Sequence, residues 1–129
     1  MDTFNKFQTG EDTSGSCYAS LSDVQATMAL SGYDPRRIHF VQGKVEDTLP
    51  AQAPERLALL RLDTDWYAST RHELEQLYPR LSPGGVLIVD DYGYWQGAKK
   101  ATDEYIAAQA PSLFLNRVDY SARLAIKTT

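Results

Sequence analysis

Four aspartates follow two apolar segments of the chain, and carboxylates in this pattern can hold a metal ion. The segment LALLRLD ends on Asp63 and is followed closely by Asp65, which gives a D-x-D pair. The segment GVLIVDD ends on the adjacent acids Asp90 and Asp91. Carboxylates that lie close together repel one another unless a cation or a basic group offsets their charge. A hard cation such as Mg²⁺ prefers such oxygen ligands.

The elements around these acids are expected to bring them together. Residues 57–63 and 85–91 are typical of strands buried on both faces of a parallel sheet. A helix is predicted over residues 70–80, where Thr70 and Glu73 have capping-box spacing. A strand–helix–strand unit is right-handed and has parallel strands, so both strands end at the same edge of the sheet. Open α/β sheets bind ligands at that edge, and we therefore expect the four acids to converge there.

The other segments complete an α/β pattern, which we interpret as one domain over residues 1–129. Residues 82–85 (Ser-Pro-Gly-Gly) are predicted to turn the chain between the helix and the second strand. Further elements are predicted as a helix at 19–31, a strand at 38–43, a helix at 96–108, and an antiparallel hairpin formed by 112–119 and 121–127.

Composition and charge exclude several classes of function. The net charge is −4 and no run of Lys or Arg exceeds two residues, so we expect no nucleic-acid partner. No apolar stretch approaches the roughly 20 residues that cross a bilayer, and no secretory leader is apparent. Cys17 is the only cysteine, which excludes an intrachain disulfide and a cysteine-cluster metal site. We therefore expect no membrane association and a cytoplasmic location.

The acid pattern alone does not name a reaction. A single aspartate at a strand end is more often a helix cap or a solvated charge than a ligand. D-x-D after a strand also occurs in phosphotransferases of the haloacid-dehalogenase type and in metal-dependent glycosyltransferases. Phosphoryl or glycosyl transfer with a metal ion therefore stays open as an alternative.

The run from residue 57 to residue 93 resembles the macrocin O-methyltransferase family, whose members methylate sugar hydroxyls of bacterial natural products. The family pattern reads approximately L-R-x-D-x-D-x-Y-x-S-T, then L-Y-P-x-L-x-x-G-G, then V-D-D-Y. The chain matches it at Leu60, Arg61, Asp63, Asp65, Tyr67, Ser69, Thr70, Leu77, Tyr78, Pro79, Leu81, Gly84, Gly85, Val89, Asp90, Asp91 and Tyr92. Weaker matches extend upstream to Val41.

The resemblance implies a Rossmann-like methyltransferase sheet that uses S-adenosylmethionine and Mg²⁺. It implies that Asp63, Asp90 and Asp91 are metal ligands and that Asp65 is the catalytic base. Asp2 matches an acid that bonds the ribose hydroxyls of the methyl donor, so it is the candidate cofactor-binding residue. The substrate is expected to be a small molecule that carries a sugar, with aromatic side chains lining its pocket: Trp66, Tyr67, Tyr92, Tyr94 and Trp95.

Family members begin with a longer segment that includes the first strand and a glycine-rich donor loop. The chain is therefore expected to be the C-terminal portion of the fold, truncated at its N-terminus and ending in the antiparallel hairpin. Two functional hypotheses follow from this expectation. The chain is an O-methyltransferase that is inactive alone or is completed by a partner or a homodimer, or it is a non-catalytic remnant that binds a sugar or a protein.

Overall fold

The structure is a computed structural model that describes residues 19–128, which fall into two compact units divided after Gly43. The single domain expected over the whole chain stays a prediction. Among the described residues, no helix is both long and apolar enough to cross a membrane.

In the first unit, helix α1 spans Leu21–Ala29. The hydroxyl of Ser20 accepts a hydrogen bond from the backbone N–H of Asp23, whose carboxylate accepts one from the N–H of Ser20. These reciprocal bonds satisfy two of the donors that a helix start leaves free. The predicted first helix is confirmed with shorter bounds.

The strand predicted at residues 38–43 is wrong. Ile38 has extended backbone angles, but residues 38–43 pair with no strand in the described part of the chain. Phe40 and Val41 are 39% and 48% exposed. The strand preference of β-branched and aromatic residues depends on packing against neighbouring strands, and none is present beside this segment among residues 19–128.

The second unit contains a four-stranded sheet in the order β1-β2-β4-β3. The β1–β2 pair is parallel, whereas β4 runs antiparallel to both β2 and β3. The predicted parallel pair and the predicted terminal hairpin are therefore confirmed. The bounds are β1 Leu57–Leu62, β2 Leu81–Val89, β3 Asn116–Arg117, β4 Arg123–Ile126, α2 Val45–Thr48, α3 Tyr67–Leu77 and α4 Gln96–Gln109, with a 3₁₀ turn at Tyr78–Arg80.

The core lies between the sheet and the helices α3 and α4. Leu60 and Leu62 of β1 and Leu87 and Val89 of β2 are all buried on this side of the sheet. Leu74 of α3 packs into the same cluster and is completely buried. Because alternate strand residues face the helices, the intervening residues of β1 face the other side.

Helix α3 begins at Tyr67, three residues before the predicted start, and the predicted capping box is wrong. Trp66 is the N-cap and makes no side-chain cap bond. Thr70 and Glu73 are both buried inside the helix, and the Glu73 carboxylate accepts a hydrogen bond from Thr64 instead of from a helix-end N–H. The capping-box spacing recurs within helices, so it does not by itself locate a helix start.

Strand β2 also begins earlier than predicted, at Leu81 instead of residue 85. The N–H of Gly84 donates to the carbonyl of Lys127 at 2.7 Å, and the N–H of Lys127 donates to the carbonyl of Gly85 at 2.9 Å. These bonds extend the β2–β4 ladder through the Pro-Gly-Gly segment. Gly84 has a φ of 78°, a left-handed conformation that glycine adopts without strain.

Candidate metal centre

The register of the parallel strands places the acids of both segments side by side. Leu62 lies opposite Val89, and the N–H of Asp90 donates to the carbonyl of Leu62 at 3.0 Å. Asp63 and Asp90 therefore each follow the last paired residue of their strand. Because of this register, the acids that follow the two strands meet at one edge of the sheet, as predicted.

The loop after β1 has an unusual backbone that the rest of the unit holds in place. Asp65 has a φ of 61°, which costs a non-glycine residue about 1 kcal/mol or more. Its carbonyl accepts the N–H of Ala98 at 3.2 Å, at the start of α4. A Cβ on the buried Gly97 would lie 2.7 Å from the backbone nitrogen of Tyr67, so only glycine permits this close approach.

The loop after β2 is fixed by the terminal hairpin. The N–H of Gly93 donates to the carbonyl of Ser121 at 2.8 Å, and the hydroxyl of Ser121 donates to the carbonyl of Asp90 at 2.6 Å. A Cβ on Gly93 would overlap the carbonyl oxygen of Tyr120. The hairpin thus supports the acid pair Asp90-Asp91 from a distant part of the sequence.

Three of the four predicted acids form a compact group. Carboxylate oxygens of Asp63, Asp65 and Asp91 all lie within 4.8 Å of one another. The Oδ2 atom of Asp91 is buried and accepts a hydrogen bond from no donor within residues 19–128. A buried acceptor without a partner is costly, and a hard cation would satisfy it together with the neighbouring oxygens. The donor set therefore fits a divalent cation such as Mg²⁺.

The protonation of this group reflects its crowding. Burial raises the pKa of Asp91 to about 7, and the hydrogen bond with Asp65 and the neighbouring negative charges act in the same direction. Burial also raises the pKa of Asp65, although the hydrogen bond with Asp91 opposes that shift. The two carboxyls titrate as a pair, and without a cation they favour sharing a proton.

Asp90 takes a different position from the other three acids. The Nη2 atom of Arg61 lies 2.9 Å from Oδ2 of Asp63 and 3.1 Å from Oδ1 of Asp90, so one guanidinium bridges both. Asp90 is not a member of the three-carboxylate group that contains Asp91. Consecutive residues leaving a strand point to opposite sides, which explains why the adjacent acids separate. A metal-ligand role for Asp90 stays a prediction.

Sequence reasoning did not single out Arg61 as the charge partner of these acids. The signal was present, because residues two apart in a strand share a face and Arg61 stands two residues before Asp63. Asp2, the candidate cofactor-binding residue, lies outside the described residues.

A row of aromatic rings adjoins the acid loops. The ring centroids of Trp66 and Trp95 are 6.3 Å apart, and Tyr94 meets Trp95 edge-on at 5.3 Å. Tyr120 of the hairpin extends the row at 6.4 Å from Tyr94. The backbone N–H groups of Tyr94 and Trp95 both donate to the carbonyl of Asp91, which ties the row to the acids.

Two aromatic residues that were predicted to line the pocket have other partners. The hydroxyl of Tyr67 donates to Glu104 at 2.7 Å, and that of Tyr92 donates to Asp103 at 2.6 Å. Tyr120 was missed because nothing in its local sequence links it to Tyr94, which lies much earlier in the chain. Only the docking of the hairpin brings it to the row.

The parallel βαβ unit, the covering helices and the acids at the carboxyl edge define an α/β protein with a candidate cation site. Residues 6–125 match the family model described as macrocin-O-methyltransferase (TylF). The chain belongs to this family. The resemblance seen in the acid-containing segment is therefore confirmed over nearly the whole chain.

Individual relatives agree with this assignment. The chain is 47% identical over 72 residues to a tetracenomycin-C rhamnosyl 4'-O-methyltransferase of Streptomyces olivaceus, covering 56% of this chain and 28% of that protein. It is 42% identical over 86 residues to mycinamicin III 3''-O-methyltransferase of Micromonospora griseorubida, covering 67% of this chain and 34% of that protein. The chain thus spans about a third of the length of these relatives.

Solved structures show the same fold. The O-methyltransferase NovP superimposes with a TM-score of 0.81 and 34% identity, over 86% of this chain and 46% of that chain. A structure described as an O-methyltransferase from Klebsiella pneumoniae, at 17% identity and a TM-score of 0.61, shares the fold. The expected methyltransferase sheet that ends in an antiparallel hairpin is confirmed.

Proposed function

We propose that the chain supplies the metal-binding and sugar-binding part of an S-adenosylmethionine-dependent O-methyltransferase that acts on a sugar hydroxyl of a natural product. The convergence of Asp63, Asp65 and Asp91, with one buried oxygen that has no donor among the described residues, is the observation that carries this proposal. The relative named for a rhamnosyl-tetracenomycin-C supports a sugar-bearing substrate, and the relative named for mycinamicin III supports O-methylation of a small molecule. Family membership favours methyl transfer over the phosphoryl or glycosyl transfer that the D-x-D pattern left open.

We assign Asp63, Asp90 and Asp91 as ligands of a Mg²⁺ ion. Asp63 and Asp91 already belong to the three-carboxylate group, and Asp90 is joined to Asp63 through the half-exposed Arg61. Arg61 offsets the charge of Asp63 and Asp90 where no cation does so. A bound Mg²⁺ would lower the pKa of a coordinated sugar hydroxyl, as it does for water.

Asp65 is the proposed base that takes the proton of the substrate hydroxyl. Burial raises the pKa of this carboxyl, and a base is most effective when its pKa lies nearer the working pH. Its left-handed backbone and its bond to Ala98 fix the direction of the side chain. S-adenosylmethionine would supply the methyl group, and the row from Trp66 to Tyr120 offers flat apolar faces to a sugar ring.

The metal site is tested by titrating the chain with manganese(II) chloride and with magnesium chloride, using electron paramagnetic resonance for the first and calorimetry for both. We expect Asp91→Asn and Asp63→Asn to weaken binding by more than about tenfold. The matched control is Asp47→Asn, which removes the same charge from an exposed position in α2. If neither Mn²⁺ nor Mg²⁺ binds at millimolar concentration, the proposed site is refuted.

The methyl-donor side is tested by titrating S-adenosylmethionine with and without Mg²⁺. Donor binding would support the enzyme assignment for this chain by itself. Cation binding without donor binding would favour a non-catalytic sugar- or protein-binding module, or a site completed by a partner chain or a homodimer. Light scattering on the same samples measures the mass of the protein in solution and so distinguishes a homodimer from a chain that needs a different partner. The cytoplasmic location stays a prediction.

A further inference from the structure

A buried glutamate lies directly behind the proposed metal-binding loop. Glu73 of α3 is only 6% exposed, and its Oε2 atom accepts a hydrogen bond from the Thr64 hydroxyl at 2.8 Å. Thr64 is the middle residue of the Asp63-Thr64-Asp65 loop. The same hydroxyl lies 3.4 Å from that of Thr70, also in α3 and almost completely buried.

The carbonyl and the hydroxyl of Thr64 are both held by α3 and by the residue that precedes it. The carbonyl of Thr64 accepts the N–H of Trp66 at 2.6 Å and the hydroxyl of Ser69 at 3.2 Å, while its hydroxyl donates to Glu73. Because Thr64 stands between Asp63 and Asp65, anchoring its carbonyl and hydroxyl to the helix fixes the backbone from which both carboxylates project. The two carboxylates thereby meet Asp91.

A buried carboxyl at this position lowers the stability of the fold, which favours a functional role for Glu73. Burying a carboxyl costs more than burying an apolar side chain of similar size, and the hydrogen bond from Thr64 only partly offsets that cost. The hydrogen bond to Glu73 holds Thr64 in place, and Thr64 lies between two of the three clustered acids. Groups that hydrogen-bond next to metal ligands orient those ligands and tune their affinity.

We infer that Glu73 is a positioning residue that acts through Thr64 to aim the carboxylates of Asp63 and Asp65 at the cation. The inference rests on the proposed metal site. Without this anchor, the left-handed backbone at Asp65 loses one of the contacts that hold it, and the clustered oxygens can spread apart. The expected consequence is a loss of cation affinity by about tenfold or more.

The test compares two matched pairs of variants in the full chain, with manganese(II) chloride as the probe. Thr64→Val keeps the shape of the side chain and removes the hydroxyl, whereas Thr64→Ser keeps the hydroxyl. Glu73→Met removes the acceptor, whereas Glu73→Gln keeps one. We expect the Mn²⁺ dissociation constant to rise about tenfold in the first member of each pair and to stay near that of the parent in the second.

Thermal unfolding of the cation-free variants separates positioning from a purely structural contribution. A structural contribution alone would lower the unfolding temperature of Thr64→Val and leave the Mn²⁺ dissociation constant of the folded protein unchanged, which would overturn the inference. If Glu73→Met does not fold, the two Thr64 variants decide the question. The double variant Thr64→Val/Glu73→Met is expected to bind no more weakly than either single variant, since both remove the same hydrogen bond.

The parent protein serves to distinguish the two proposals. If the parent binds Mn²⁺ and all four variants bind it equally well, the inference fails and the proposed metal site stands. If the parent binds no Mn²⁺, the proposed metal site fails and the inference fails with it.

Discussion

Replacing Glu73 by glutamine should stabilise the protein, and the gain should grow with pH. Burial raises the pKa of Glu73 from its usual 4.5 to about 7, although the hydrogen bond from Thr64 acts against the shift. A carboxyl whose pKa is raised by folding binds its proton more tightly in the folded chain than in the unfolded chain. Its contribution to stability is therefore complete at low pH and is lost as the pH rises.

The size of the effect follows from the two pKa values. Below about 4.5, Glu73 is protonated in both states, and above about 7 it is ionised in both, so the loss occurs between these values. At about 1.4 kcal/mol for each pH unit, the folded chain loses about 2 kcal/mol between about pH 5.5 and pH 8 through this one group. Glutamine has no proton to lose, so Glu73→Gln should escape this part of the pH dependence.

Urea unfolding followed by tryptophan fluorescence measures the effect, with a chelator present so that the acid cluster is the same in both proteins. The advantage of Glu73→Gln over the parent should increase by about 2 kcal/mol from about pH 5.5 to pH 8. Glu55→Gln is the control, because it makes the same change in net charge at an exposed position. A difference between Glu73→Gln and the parent that is constant across this pH range would refute the reasoning.

Four further substitutions test other parts of the structure by chemical or thermal unfolding. Leu74→Ala should lower the free energy of unfolding by about 3–5 kcal/mol, because the side chain is completely buried. Leu59→Ala, at a position 55% exposed, should lower it by less than about 1 kcal/mol, and equal losses would contradict the placement of the core. Gly93→Ala should cost about 2 kcal/mol or more because its Cβ would overlap the carbonyl of Tyr120, and an unchanged unfolding temperature would show that the hairpin is not docked there. Asp91→Asn should raise the free energy of unfolding of the cation-free chain at pH 8 by about 1 kcal/mol, because it removes a charge that lies close to other carboxylates. This value allows for the partial exposure of the side chain. A fall in stability would show that the carboxylate makes a favourable contact there.

The local pattern of the sequence was enough to predict the centre of the fold. Residues 57–63 and 85–91 are apolar runs of strand length that flank one helical repeat, and such a unit has a single common handedness. The parallel β1–β2 pair and the acids at its carboxyl end follow from that rule. Strand bounds and helix starts were less accurate, because the local sequence encodes neither the pairing of Gly84 and Gly85 with Lys127 nor the burial of Thr70 inside α3.

Details of the candidate site depended on the tertiary structure. The separation of Asp90 from Asp91 depends on which way each side chain leaves the strand, and the bridge from Arg61 depends on the register with β2. The burial of Glu73 depends on the packing of α3 against the loop after β1, and the contribution of Tyr120 required the hairpin to fold back onto the loop after β2.

The sequence by itself determined which chemical groups are available and which sheet edge they reach, because strand and helix periodicity are properties of short segments. The packing of α3, α4 and the hairpin against the sheet decided which carboxylates meet, which two share a guanidinium and which one is buried behind the loop. These choices depend on contacts between residues far apart in the chain, and small differences in register or direction change them completely.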